Sequence, residues 1–186
     1  MRHAMSNGNT PSMRHDLSRS ARTLAMTTGL LAALPSFLLT GCNPPPSEED
    51  LAGFAGSIEY WPPFPDTVAG LAALKKDFKL FALSNVDDEL FAQSARVLGD
   101  PFDALISAEQ IGAYKPDPRM FEALLDQAEG PVLHVAQSRY HDIVPATAAG
   151  LDTVWINRPS IGAARPVDAT PTWTFDSLAD FTAAWN

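Results

Sequence analysis

The sequence predicts an α/β fold built on a doubly wound parallel sheet. Three observations carry this. Short apolar runs alternate with helical segments over the last two thirds of the chain, as in repeated strand–helix units. Those runs are rich in residues that a doubly covered sheet buries, with little polar alternation. The chain has 186 residues, enough for one ordinary domain.

The elements follow in order from Ser47. Ser47-Glu48-Glu49-Asp50 reads as an N-cap with acids in the first turn. Leu51, Phe54, Ala55 and Ile58 then share one helical face. Trp61-Pro62-Pro63-Phe64-Pro65 interrupts the chain, and Asp66 is placed to cap a second helix. That helix turns Val68, Leu71 and Leu74 inward and ends at Lys75-Lys76. Residues 78–83 are the first apolar run, followed by a helix over about 87–98. Then come a strand over 104–107, a helix over 118–127, a strand over 132–136, a helix over 143–149 and a strand over 153–156. Asp176 is placed to cap a last helix over 178–185.

Composition excludes several classes. Hydrophobic residues make up 46% and charged residues 19%, a globular rather than disordered balance. The formal net charge of -9 argues against nucleic acid as a partner, because phosphate binding needs a basic face. A single cysteine, Cys42, forbids an intrachain disulfide.

Residues 1–46 differ from residues 47–186. Arg14, Arg19 and Arg22 precede an apolar run over 24–39, which ends in Leu39-Thr40-Gly41-Cys42. This is the pattern of a bacterial lipoprotein signal, with Cys42 as the lipidated residue. The alternative is a segment that does not belong to the native protein. On the first view the protein is membrane-anchored through Cys42. On the second it is cytoplasmic. In either case residues before about 44 are expected to pack poorly against the remainder.

Ligand sites of doubly wound sheets lie beyond the carboxyl ends of the strands, and three strand ends carry suggestive residues. Ser84 and Asn85 follow the run 78–83 and can donate to an anionic group, or simply cap the next helix. Lys115 stands in Tyr114-Lys115-Pro116-Asp117-Pro118, where two prolines stiffen the loop and present the ammonium toward a carboxylate. Ser138 and Asp142 belong to Gln137-Ser138-Arg139-Tyr140-His141-Asp142, directly after the run 132–136. Asp142 either closes the floor of an active site or serves as an N-cap.

Together these motifs resemble the haloacid dehalogenase superfamily of hydrolases. The strand-end Ser84, the Lys115-Pro116-x-Pro118 loop and the loop 137–142 come in the family's order and spacing. Residues 61–66, 82–85 and 112–118 resemble its type II 2-haloacid dehalogenase branch. The resemblance implies a Rossmann-like core in which Lys115, Ser84 and Asp142 are catalytic and Asn85 and Ser138 bind substrate. It implies a small anionic organic substrate, no cofactor, and a homodimer as one compatible assembly.

Two departures qualify what the resemblance implies. Phosphatases of the superfamily hold Mg²⁺ partly through acids in the third loop, but Gln137 stands at the first acidic position here. A neutral amide is a poor ligand for a hard cation, which favours the metal-independent dehalogenase branch. That branch usually has Ser and Asn where this chain has Gln137 and Arg139. The second departure is larger. The family's nucleophile is an Asp ending the first core strand, and Asp16, Asp50, Asp66 and Asp77 all lie in other settings. The expectation is a truncated core lacking its first strand and most of its cap, and therefore inactive. The alternatives are a phosphatase of the same superfamily and a non-catalytic, lipid-anchored binding protein.

Overall fold

A computed structural model describes residues 23–26, 47–158 and 168–185. They form one six-stranded sheet, every strand parallel to its neighbours, in the order β3-β2-β1-β4-β5-β6. The strands are β1 (Thr23–Met26), β2 (Lys79–Ser84), β3 (Ala104–Ser107), β4 (Val132–Ala136), β5 (Asp152–Ile156) and β6 (Trp173–Phe175). The helices are α1 (Glu48–Gly56), α2 (Thr67–Leu74), α3 (Asp88–Val97), α4 (Ala108–Ile111), α5 (Pro118–Gln127), α6 (Val144–Ala148) and α7 (Leu178–Trp185). The predicted doubly wound parallel sheet is present. β6 and the short α4 were not anticipated.

The expectation that the first strand is missing is wrong. β1 lies at the centre of the sheet, with Thr23 opposite Lys79 and Val132 and Met26 opposite Ala82 and Val135. All four of its residues are buried. Leu24 and Met26 join a cluster with Leu71, Leu80, Leu133 and Phe181, while Ala25 enters the opposite cluster with Phe81, Phe121 and Leu124. The strand's alternating side chains thus tie together the cores on both faces. Burial of Leu24 and Met26 stabilises by about 1.5–3 kcal/mol each. The boundary drawn between residues 46 and 47 therefore does not separate the sheet from what precedes it. Residues 30–39 and Cys42 lie outside the described residues. Among the described residues, no helix is long and apolar enough to cross a membrane.

Several local assignments also change. Ser47 and Asp50 do form a reciprocal cap: Ser47 Oγ accepts from Asp50 N at 3.1 Å and Ser47 N donates to Asp50 Oδ2 at 2.9 Å. The side chains of Leu51, Phe54, Ala55 and Ile58 lie outside the description. Asp66 precedes α2 but its carboxylate makes no cap there. It accepts instead from Leu178 N and Ala179 N, at 2.8 and 3.2 Å, and from Arg158. Asp66 and Ser177, which accepts from Asp180 N at 3.0 Å, thus tie down the start of α7, the role expected of Asp176. Val68 is exposed, and Thr67 and Gly70 are buried beside Leu71 and Leu74. Gly70 is where α2 meets α7: a Cβ there would fall 2.7 Å from Leu178 Cδ2.

Candidate active site

The strand order reverses at β1, because β2 leaves it on one side and β4 on the other. Such a reversal opens a crevice beyond the carboxyl ends of the strands. On either side of this reversal stand Ser84, which ends β2, and Ala136, which ends β4.

Local sequence delivers Lys115 to this edge. Ser107 Oγ accepts from Gln110 N at 3.1 Å and starts α4. Gly112 ends that turn in the left-handed region, at φ 66°, a conformation glycine adopts without steric cost. Asp117 then caps α5 by accepting from Arg119 N at 2.9 Å, with Pro118 in the first turn. Between these anchors, Asn85 Oδ1 accepts from Lys115 N at 2.7 Å and Asn85 Nδ2 donates to Lys115 O at 3.1 Å. The ammonium turns inward. Lys115 is only 5% exposed, and its Nζ donates to Leu83 O and to Asp142 Oδ1, both at 2.8 Å.

Asp142 arrives from β4 through a π turn, Arg139–Ile143, in which Ile143 N donates to Ser138 O at 3.2 Å. Ser138 Oγ caps that turn by accepting from His141 N at 3.1 Å. The wide turn leaves Asp142 inside it, not at its head, so the N-cap alternative for Asp142 does not hold. Its carboxylate is 3% exposed and receives Lys115 Nζ and, at 3.4 Å, His134 Nε2, both on Oδ1. Burial pushes the Asp142 carboxyl up. The charge of Lys115 and the hydrogen bonds from His134 and Lys115 overcome this, and the carboxyl lies below its ordinary value of 3.8.

Lys115, Asn85 and Asp142 are therefore brought together at one sheet edge, with Ser84 next along β2 from the Leu83 carbonyl. Ser138 stays in the turn before Asp142. Asn85 spends its Oδ1 and an Nδ2 hydrogen on the Lys115 backbone, and its second amide hydrogen has no partner among the described residues. His134 is the residue that sequence reasoning missed. It was the lone polar side chain in the apolar run Val132-Leu133-His134-Val135-Ala136, a signal that is available but weak.

The donor set does not fit Mg²⁺. Gln137 offers a neutral amide where a hard cation favours a charged oxygen. Among the described residues, no group of three His, Cys, Asp or Glu is placed to hold a metal.

The haloacid dehalogenase-like hydrolase family model matches residues 23–150, starting at the first residue of β1. The chain belongs to the haloacid dehalogenase-like hydrolase family. Pyrimidine 5'-nucleotidase YjjG of Escherichia coli (strain K12) is 32% identical over 144 residues, covering 73% of this chain and 62% of that protein. (S)-2-haloacid dehalogenase 1 of Pseudomonas sp. (strain CBS-3) is 37% identical over 101 residues, covering 51% and 44%. The chain thus spans less than two thirds of the length of either relative. A solved L-2-haloacid dehalogenase superposes with a TM-score of 0.67 at 25% identity, over 88% of this chain and 97% of that one. The expected Rossmann-like haloacid dehalogenase fold is the fold found.

Proposed function

We propose that the crevice beyond β1 is a 2-haloacid dehalogenase-type site without its nucleophile, and that the chain as given does not turn substrate over. In the complete reaction a carboxylate attacks the halogen-bearing carbon, halide leaves with the bonding pair, and water cleaves the resulting ester. Lys115 orients and charge-balances that carboxylate, Ser84, Asn85 and Ser138 hold the substrate's carboxylate or the halide, and Asp142 positions Lys115 or the water. The substrate class is a small organic acid, as the names of the dehalogenase relatives indicate for those proteins.

The observation that carries the proposal is the sequence after β1. Met26 is followed by Thr27-Thr28-Gly29, and there is no Asp or Glu between Asp16 and Glu48. The other acids noted before Ser84 have work elsewhere: Asp50 bonds Ser47, Asp66 holds α7 and Asp77 accepts from Trp185 Nε1 at 2.9 Å. Asp16 lies outside the described residues.

A second reading, phosphate-ester hydrolysis, draws support from the identity with the nucleotidase. The neutral amide of Gln137 speaks against it. Both readings are tested by incubating the full chain with (S)-2-chloropropionate, and separately with a pyrimidine nucleoside monophosphate and Mg²⁺. Neither chloride nor phosphate is expected above the uncatalysed rate. Chloride release that Lys115→Ala abolishes would overturn the proposal, and phosphate release with the same dependence would establish the second reading.

A further inference from the structure

We propose that His134 is a positioning residue of this site. Its Nε2–H, together with Lys115, occupies Asp142 Oδ1 and so fixes which carboxylate oxygen is left for a water or a substrate atom. The inference rests on the site assignment of Lys115 and Asp142 made above, and deepens it.

His134 is fully buried in β4, and its side chain reaches Asp142 eight residues later, past the π turn. The Nε2–Oδ1 distance is 3.4 Å, at the long end of hydrogen bonding. The other nitrogen, Nδ1, is buried and has no hydrogen-bond partner among the described residues. That asymmetry decides the tautomer. A proton on Nδ1 would leave a buried donor unmet and turn the Nε2 lone pair against a carboxylate. A proton on Nε2 satisfies the carboxylate and leaves only an acceptor unmet. Phe121 meets the ring edge-on, with centroids 5.4 Å apart, and restricts its rotation.

The charge state also matters. Burial lowers the His134 pKa below 6.5, opposed by the Asp142 carboxylate and aided by the Lys115 charge. A neutral imidazole orients Asp142 without cancelling its charge, so among the described residues the compensating cation is Lys115, at 2.8 Å. Oδ1 accepts from both neighbours, and no partner for Oδ2 is found among the described residues. Both donors together restrain the carboxylate against rotation, as outer-shell partners of a functional group do. Simple core filling would make no demand on the ring's tautomer or on Asp142.

The test uses the full chain, labelled with ¹⁵N and ¹³C. Long-range ¹H–¹⁵N correlation reads the ring of each of the four histidines, with His134 assigned by its loss in His134→Gln. His134 is expected to take up its second proton at lower pH than an ordinary histidine, and in its neutral form to carry the proton on Nε2. A neutral ring with the proton on Nδ1 overturns the proposal. The second readout is the Asp142 carboxyl ¹³C titration. His134→Leu is expected to raise its midpoint by about one pH unit, and His134→Gln, which keeps an N–H donor, to restore most of it. An unchanged midpoint in folded His134→Leu overturns the proposal. If His134→Leu does not fold, the tautomer decides alone. Neither readout needs turnover, so this result stands apart from the halide assay.

Discussion

Asn85 holds Lys115 by its backbone, accepting from Lys115 N at 2.7 Å and donating to Lys115 O at 3.1 Å. The carboxamide at the end of β2 thereby fixes the loop that carries the ammonium, although the two residues are thirty positions apart. Asn85→Ala removes both bonds and is expected to destabilise by about 1–3 kcal/mol, since each net hydrogen bond contributes about 0.5–1.5 kcal/mol. Asn85→Asp keeps the acceptor and loses the donor, so it is expected to fall between the two. Urea unfolding of the three proteins checks the order. Equal stability of Asn85→Ala and the parent would remove the clamp from the account.

The Lys115–Asp142 pair should show strong non-additivity. Both groups are nearly inaccessible, so removing one partner strands a buried charge. Lys115→Met or Asp142→Leu alone is expected to cost about 3–5 kcal/mol, while the double variant, which buries no unpaired charge, costs less than their sum. Denaturation of the four proteins completes the cycle. Additive losses would mean that the two side chains do not interact in solution.

Acid should weaken the fold in two stages. His134 has a folded pKa below 6.5, so between that folded value and 6.5 the unfolded chain binds the extra proton. Its contribution to stability is complete above 6.5 and is lost as pH falls toward the folded value, at no more than about 1.4 kcal/mol per pH unit. Asp142 has a folded pKa below 3.8, so its contribution is complete above 3.8 and is lost as pH falls through its folded value. Unfolding free energy measured from pH 8 to pH 4 should decline below about 6.5. His134→Gln should flatten that first decline, and if it leaves the decline unchanged another group is responsible.

The strands over residues 78–83, 104–107 and 132–136 were legible because each is an apolar run bounded by turn residues. Lys115 was legible because two prolines closely follow it within a motif of defined spacing. Thr23–Met26 was not, for a physical reason. Four residues are too few to show a period, only Thr23 is β-branched, and the strand merges into a longer apolar run behind three arginines. Its identity as a strand comes from what lies on either side of it, namely the backbones of β2 and β4. Asp66 was misassigned for a related reason. It stands where an N-cap should stand, but its carboxylate is drawn to Arg158 and α7, more than ninety residues away in sequence. His134 was passed over because a histidine in an apolar strand is most often a core residue. Only the partner brought in by the π turn gives it a role.

The position of β1 predicts the consequence of cutting the chain at the lipoprotein-like motif. Cleavage before Cys42 would remove Thr23–Met26 along with everything before it. β2 and β4 would then lose the strand that both pair with, over Lys79–Ala82 and Val132–Val135. Several buried backbone groups would be left unmet at about 1–3 kcal/mol each. The apolar contacts of Leu24, Ala25 and Met26 would go as well. The sum rivals the whole stability of a typical domain, about 5–15 kcal/mol. Residues 42–186 expressed alone are therefore expected to lack a cooperative unfolding transition, whereas residues 20–186 should show one. The more discriminating variant is Ala25→Asp in the full chain. It places a carboxylate between the two core clusters and should abolish the transition if β1 occupies the centre of the sheet. A cooperative transition in residues 42–186, with the same midpoint as the full chain, would show that the sheet closes without Thr23–Met26.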